Sequence, residues 1–150
     1  MQFYVKDIMS TDLISINQNA TIRELVKLFS DHGIQGVPVV DDDGYIEGVV
    51  SSHDVMKNEC SHAFYQVPSV ESLESNVYKD MDFLDKKVST IMTKDLYSIE
   101  PDDTIAKMSK VMYDKKIHRL LVVEYEKLIG IVSTFDLLKL LATSDEQIIV

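Results

Sequence analysis

The stretch IHRLLVVEYEKLIGIVSTFDLL, from Ile117 to Leu138, decides the fold of this chain. It contains two short apolar runs, at 120–123 and 128–132, separated by a polar break. Two runs of strand-forming residues a few positions apart predict a β-hairpin. The pattern then changes to Ser133-Thr134-Phe135-Asp136 followed by leucines. A hydroxyl and a carboxylate three residues apart are typical of a helix start, so the unit is strand, turn, strand and helix.

The same unit occurs earlier in the chain. The sequence VKDIMSTDLISI at 5–16 aligns without a gap with VSTIMTKDLYSI at 88–99. One residue is lost in the second hairpin turn, and the closing segments then correspond again. The matching residues there are Gly48, Ser51 and Asp54 in the first copy and Gly130, Ser133 and Asp136 in the second. Similarity kept in order over roughly 50 residues indicates two copies of one structural unit.

The repeat predicts three parts along the chain. We expect a first repeat at 1–66, a connecting segment at 67–87 and a second repeat at 88–150. Apolar residues in the connecting segment recur at spacings near three and four, which predicts a helix rather than an irregular linker.

Local patterns also predict where the first strand and two of the helices lie. The residues 13–16 predict a short first strand. Thr21 and Glu24 form a capping-box pattern, which predicts a helix that ends near Gly33. The apolar face of this helix is predicted from Ile22, Leu25, Val26 and Phe29. Thr104, after two aspartates, predicts the start of the corresponding helix in the second repeat.

Composition narrows the class of protein. With 45% hydrophobic and 27% charged residues, the 150-residue chain has the make-up of a soluble globular protein. A net charge of −10 argues against nucleic-acid binding, which needs a cationic surface. No apolar run approaches the roughly 20 residues that cross a bilayer, so we expect no membrane segment. The lone Cys60 and the absence of a signal-peptide pattern predict a cytoplasmic protein.

Two Ser-x-x-Asp pairs, Ser51 with Asp54 and Ser133 with Asp136, stand at the predicted strand-to-helix corners. Such a pair can serve as a helix cap that stabilises by on the order of 1 kcal/mol. The same position also suits a ligand, because free amides and the positive end of the helix dipole attract phosphate. An aspartate there can accept hydrogen bonds from both hydroxyls of a ribose. The residues alone leave both interpretations open.

Positive charge is concentrated just before the second hairpin, in the segment 115–119. The two lysines of this segment fit a basic helix end as well as a ligand site. His118 and Arg119 lie beyond the predicted helix, and an arginine can donate two parallel hydrogen bonds to a phosphate. The first repeat has the neutral Gln35 and Gly36 at the matching positions. We therefore expect the two repeats to differ in their affinity for phosphate.

No motif in the sequence indicates catalysis or metal binding. Cys60, His62 and His53 lack the repeated spacing of metal ligands. The nucleophile motif G-x-S-x-G and the glycine-rich nucleotide motifs are absent. We expect no catalytic residue, no metal site and no required cofactor.

The two copies, each opening with V-x-x-I-M and closing with G-[VI]-V-S-x-x-D, resemble a tandem pair of CBS domains, the Bateman module. The resemblance covers about 5–57 and 88–141. It implies an α/β (α+β) fold in which two β-α-β-β-α repeats pack sheet-to-sheet about a pseudo-twofold axis, with two clefts. Apolar helix surface left uncovered by such thin sheets predicts, together with the family, a homodimer.

The resemblance also implies a regulatory ligand. Many members bind adenosine-containing molecules such as AMP, ADP, ATP or S-adenosylmethionine. It implies that Ser51, Asp54, Ser133 and Asp136 hold the ribose. The segment His118-Arg119 resembles the His-Arg segment that contacts phosphates in the γ subunit of AMP-activated protein kinase.

The leading hypothesis from the sequence is an adenine-nucleotide sensor without catalysis. We expect it to act on a separate protein partner, because no catalytic, channel or transporter domain accompanies the repeats. Two alternatives remain: a ligand-free structural dimerisation module, and a pair that binds another adenosyl ligand such as S-adenosylmethionine. An enzyme acting on a nucleotide has no support in the sequence.

Overall fold

A computed structural model describes residues 2–59 and 82–144 of the chain. The predicted connecting segment, 67–87, lies largely outside the described residues. The described elements of the first half are α1 (Val5–Ile8), β1 (Ile16–Asn17), α2 (Ile22–His32), β2 (Gly36–Val40), β3 (Ile46–Ser51) and α3 (Ser52–Glu59). Those of the second half are a 3₁₀ turn (Val88–Thr90), β4 (Ser98–Ile99), α4 (Ile105–Lys115), β5 (Arg119–Glu124), β6 (Lys127–Ser133) and α5 (Thr134–Thr143). The predicted mixed α/β (α+β) class is confirmed.

Each half contributes one three-stranded sheet, in the orders β1-β2-β3 and β4-β5-β6. In both sheets the first strand pairs parallel with the second, which pairs antiparallel with the third. The two antiparallel pairs shift register at the same place, directly after the partners Val39–Gly48 and Val122–Gly130. The two repeats therefore share this backbone irregularity as well as their sequence pattern.

The long helices begin where the sequence predicts. The Thr21 hydroxyl accepts a hydrogen bond from the Glu24 amide at 3.2 Å, and the Glu24 carboxylate accepts one from the Thr21 amide at 3.0 Å. The predicted capping box of α2 is thus confirmed, as is its end at Gly33, which has a left-handed φ of 62°. Helix α4 also begins with a threonine cap, the Thr104 hydroxyl accepting from the Lys107 amide at 3.1 Å, but it lacks the reciprocal carboxylate of α2.

Each sheet has its own apolar core, to which the long helices of its half contribute. The buried residues of the first core include Ile22, Leu25, Val39 and Val50. Those of the second include Ile105, Met108, Leu120, Val122 and Val132. Val26, predicted on the same apolar face of α2, is 41% exposed. It lies at the edge of a face whose centre is occupied by Ile22 and Leu25.

The compact units of the structure differ in their bounds from the sequence repeats. Among the described residues, 14–59 and 82–96 form one compact unit, called the first unit below. Residues 2–13 join 97–144 in the other, called the second unit. The boundaries 1–66 and 88–150 follow the sequence repeat. In the structure, the V-x-x-I-M segment that opens the first repeat lies in the second unit, and the one that opens the second repeat lies in the first unit.

Backbone pairing attaches these opening segments to the sheet edges. In the second unit the Ser10 amide donates to the Ile131 carbonyl at 2.8 Å, and the Ile131 amide donates back to Ser10 at 3.0 Å. In the first unit Thr93 and Val49 exchange the same two hydrogen bonds, at 2.8 and 3.0 Å. The residue that follows each V-x-x-I-M segment is therefore bonded to the outer edge of β6 in one unit and of β3 in the other.

The methionine of each opening segment packs against a glycine of the strand it joins. A Cβ atom on Gly130 would lie 2.8 Å from Sδ of Met9, and one on Gly48 would lie 2.9 Å from Sδ of Met92. Both distances are too short for a side chain at the glycine position. The close approach of another segment is a recognised reason for glycine inside a strand, and here it accounts for the glycine in both closing motifs.

We predict that Gly130→Ala destabilises the protein by about 1–3 kcal/mol, because the new methyl group must displace Met9 from a packed position. Gly36→Ala is the matched control, since a Cβ there would meet its nearest neighbours at 3.7 and 4.0 Å. That variant should unfold within about 1 kcal/mol of the wild type. Urea denaturation measures both free energies. Equal stability of the two variants would contradict the packing described here.

Candidate functional site

The two Ser-x-x-Asp pairs have the same geometry at the two strand-to-helix corners. At the start of α5, Oδ2 of Asp136 accepts hydrogen bonds from the Ser133 amide at 2.8 Å and from the Ser133 hydroxyl at 3.0 Å. The Asp136 amide donates to the Ser133 hydroxyl at 3.2 Å. Ser51 and Asp54 make the same three hydrogen bonds at the start of α3, at 2.8, 3.0 and 3.2 Å. The capping interpretation is confirmed at both corners.

The cap uses only one oxygen of each carboxylate. Among the described residues, Oδ1 of Asp54 and Oδ1 of Asp136 make no hydrogen bond, while both side chains are half-buried. Capping holds each carboxylate in one orientation and leaves its second oxygen available. The capping and ligand-binding interpretations are therefore physically compatible.

The cationic pair predicted to hold phosphate lies beside the second of these corners. Arg119 opens β5 and is the register partner of Ser133, and the Thr134 amide donates to the His118 carbonyl at 3.0 Å. The structure thus brings His118 and Arg119 next to Ser133 and Asp136. In the first unit Gly36 is the register partner of Ser51, so no side chain occupies the matching position.

Arg119 is exposed, and within residues 2–59 and 82–144 its guanidinium has no ion-pair or hydrogen-bond partner. The other arginine of the chain, Arg23, lies 3.5 Å from a carboxylate oxygen of Asp85. Lys115, in the last turn of α4, places its ammonium 5.5 Å from the ring centroid of Tyr97. Arg119 therefore presents a charge that no described carboxylate neutralises, and the same holds for Lys115 and Lys116.

A cavity of about 680 Å³ opens between α4 and α5 of the second unit. Its lining residues are Ser109, Met112, Tyr113, Asp114, Lys116, Ile117, His118, Thr134 and Leu137. His118 belongs both to this cavity and to the neighbourhood of the second corner, whereas Arg119, Ser133 and Asp136 do not line the cavity. Sequence reasoning missed this cavity, because it depends on how α4 packs beside α5 rather than on a local pattern.

Among the residues that the structure describes, no group of three or more histidine, cysteine, aspartate or glutamate side chains is arranged to hold a metal ion. His53 is exposed on α3, and Cys60 and His62 lie outside the described residues. No helix in the described part of the chain is long and apolar enough to cross a membrane.

Comparison with known proteins decides the family. Residues 5–60 and 88–143 each match the CBS domain family. The chain belongs to the CBS domain family. The tandem pair that the repeated motifs resemble is thereby confirmed, and the Ser-x-x-Asp corners close the two CBS domains.

Two relatives come from Methanocaldococcus jannaschii. The uncharacterized protein MJ1232 is 32% identical over 92% of this chain, which spans only 39% of that protein. The uncharacterized protein MJ1426 is 30% identical over 91% of this chain and 90% of its own length. Sequence similar to this chain thus occurs both as part of a longer protein and as most of a short one.

The crystal structure of the CBS domain pair of protein MJ0100 has the same fold. It is 25% identical to this chain, with a TM-score of 0.63, and the match covers 93% of this chain and 99% of that one. The MJ0100 pair is in complex with 5′-methylthioadenosine and S-adenosylmethionine.

We predict that Ser133→Ala destabilises the protein by about 0.5–2 kcal/mol, because it removes the side-chain cap of α5. Ser109→Ala is the control, since the Ser109 hydroxyl bonds to the Ile105 carbonyl inside α4. Alanine has the higher helix propensity there, so the control should be neutral or slightly stabilising. Thermal and urea unfolding compare the two. A Ser133→Ala variant as stable as the wild type would contradict the capping role.

Proposed function

We propose that this CBS pair binds an adenosine-containing small molecule and thereby regulates a protein partner, without catalysing a reaction itself. The observation that carries the proposal is the half-used carboxylate at each Ser-x-x-Asp corner. Oδ2 is fixed by the cap, and Oδ1 is held in place with no described partner. The related MJ0100 pair, in complex with two adenosyl ligands, supports the choice of ligand class.

The proposed binding step uses the capped aspartates as ribose acceptors. Oδ1 of Asp54 or Asp136 accepts a hydrogen bond from a ribose hydroxyl. A hydrogen bond to a charged group contributes roughly 1.5–3 kcal/mol. The cap fixes the carboxylate before the ligand arrives, so little conformational freedom is lost on binding. Ser51 and Ser133 act by orienting these carboxylates, since each serine hydroxyl donates a hydrogen bond to Oδ2 of the aspartate at its own corner.

Phosphate recognition is proposed for the second corner only. Arg119 stands opposite Ser133 in the hairpin register, and Gly36 stands opposite Ser51. In a protein of net charge −10, an anionic ligand is favoured only where positive charge is concentrated. We therefore assign AMP, ADP or ATP to the corner of Asp136, with His118 beside Arg119. The corner of Asp54 suits an adenosyl ligand without phosphate.

The proposal includes a homodimer and a separate protein partner. MJ1232, in which the matching pair is 39% of the whole protein, supports the view that such pairs work alongside other domains. No cofactor is required in this account, since the nucleotide is a regulatory ligand.

A second candidate function is a structural dimerisation module that binds no ligand. It is favoured by the same corners, because the capping box alone gives Ser51, Asp54, Ser133 and Asp136 a structural role. The two candidate functions differ in whether Oδ1 of each aspartate accepts a hydrogen bond from a ligand.

The variant Asp136→Glu separates the cap from the ribose contact. Glutamate at the third helical position closes the capping box of α2 in this same chain, through Glu24. The variant should keep the stability of α5 but move the carboxylate relative to the ribose, and affinity for adenosine at that corner should fall roughly 10- to 100-fold. Titration calorimetry measures the affinity and thermal unfolding the stability. Unchanged affinity, or wild-type protein that binds no adenosine, would contradict the proposed function.

We predict that Arg119→Ala lowers the affinity for AMP at least 10-fold more than the affinity for adenosine. Removing the guanidinium takes away charge-assisted hydrogen bonds that only the phosphate can accept. Arg23→Ala is the matched control, because this arginine pairs with Asp85 in the first unit and should not affect either ligand. Equal losses of affinity for AMP and adenosine in Arg119→Ala would place Arg119 outside the phosphate site.

A further inference from the structure

The 680 Å³ cavity of the second unit forms a groove between α4 and α5, called the groove below. Its volume falls within the range of roughly 300–1,000 Å³ that small-molecule sites occupy. The wall of the groove is apolar and is formed by the buried Met112 and the half-buried Ile117 and Leu137. Such a wall suits the body of a small organic molecule. The polar lining residues then determine which charge that molecule carries.

The polar lining of the groove is cationic. Lys116 and His118 line it, and within residues 2–59 and 82–144 neither side chain has an ion-pair or hydrogen-bond partner. The hydroxyl of Thr134, a further lining residue, also makes no hydrogen bond to the described part of the chain. The acidic lining residue Asp114 pairs with Lys110 at 2.8 Å, which offsets its charge. The groove therefore offers an anion positive charge and hydrogen-bond donors that no described group uses.

The backbone of Lys116 indicates that its side chain does more than end α4. Lys116 is the C-cap of this helix and has left-handed dihedrals, with φ 54° and ψ 44°. A residue with a Cβ atom is disfavoured in this conformation, which glycine adopts readily. The first repeat has Gly33 at the matching position, with φ 62°. The chain thus keeps a lysine where a glycine would end the helix with less strain.

The needs of the helix end do not account for this lysine. A basic residue near a helix C-terminus interacts favourably with the helix dipole, but Lys115 already occupies the last turn of α4. The Lys116 amide donates to the carbonyls of Met112 and Tyr113, so the backbone alone closes this helix end. Residues held in disfavoured backbone conformations cluster at ligand sites. Lys116 lines the groove, which gives its side chain a ligand to serve.

The first repeat has no counterpart of the cationic lining. The residues that match Lys116 and His118 are Gly33 and Gln35, and neither carries a charge. The Ser-x-x-Asp corners, in contrast, have the same geometry in both units. The lining of the groove is therefore a property of the second repeat alone and does not follow from the corner that the repeats share.

We propose that the groove binds a small organic carboxylate with an apolar body, at a site separate from the ribose corners. Nζ of Lys116 pairs with the carboxylate, and His118 and Thr134 donate hydrogen bonds to it. The body of the ligand packs against the apolar wall. Inorganic phosphate would leave that wall uncovered, and an uncharged apolar molecule would gain nothing from the lysine. The site goes beyond the proposed function and shares only His118 with it.

The test titrates the isotope-labelled full chain with hydrocinnamate and follows the amide signals by NMR. Hydrocinnamamide, which has the same shape without the charge, is the matched probe. Hydrocinnamate should cause saturable shifts centred on 109–118 and 134–137. Its dissociation constant should be at least about 10-fold lower than that of the amide, because only the carboxylate makes charge-assisted hydrogen bonds. Shifts that do not saturate at millimolar concentration, shifts centred elsewhere or equal affinity for the two probes would each overturn the proposal.

Lys116→Gly introduces the first-repeat residue into the groove and separates binding from folding. The variant should raise the dissociation constant for hydrocinnamate at least about 10-fold and leave that for the amide unchanged. Its melting temperature should equal or exceed that of the wild type, because glycine relieves the left-handed strain. Lys139→Gln is the matched control, since this exposed lysine of α5 does not line the groove and its loss removes the same charge.

Three results with these variants would overturn the proposal. They are unchanged hydrocinnamate affinity in Lys116→Gly, a lower melting temperature of that variant, and an equal loss of affinity in Lys139→Gln. Neither probe contains a ribose or a phosphate, so the outcome does not depend on whether the Ser-x-x-Asp corners bind adenosine.

Discussion

The backbone pairing of Ser10 with Ile131, and of Thr93 with Val49, is the contact on which the rest of the structure depends. Each pairing attaches the opening segment of one sequence repeat to the sheet edge of the other, at 2.8–3.0 Å. The strands that receive these segments, β6 and β3, end at the two Ser-x-x-Asp corners. The glycine beneath each methionine exists because the segment approaches so closely. Each compact unit therefore needs residues from both repeats, and the two CBS domains form an interdependent pair.

The corners show how one group of atoms can serve both structure and binding. The serine fixes the aspartate through Oδ2, and the cap thereby holds the second oxygen ready for a ribose hydroxyl. Because this geometry is the same in both units, the difference between them must come from neighbouring residues. The hairpin register supplies that difference by placing Arg119 opposite Ser133 and Gly36 opposite Ser51.

Much of this arrangement could be predicted from the sequence, because local rules determine it. The capping residues Thr21 and Thr104 and the Ser-x-x-Asp pairs all lie at the helix starts that their patterns predicted. The exchange of opening segments could not be predicted, since V-x-x-I-M has the same local pattern whichever sheet it joins. The first strand was expected at 13–16 but is Ile16–Asn17, because pairing with Val39 and Val40 sets its bounds. The groove beside α5 likewise depends on tertiary packing.

Adenosine binding is the central claim, and the unfolding of the wild-type protein tests it most directly. A ligand that binds only the folded state raises the free energy of unfolding by about 2.7 kcal/mol at 100 times its dissociation constant. We predict that the melting temperature rises steadily with the logarithm of the concentration of 5′-methylthioadenosine, and likewise with that of AMP. A melting temperature that stays constant with both ligands up to millimolar concentration would contradict the account and leave the two Ser-x-x-Asp corners as helix caps alone.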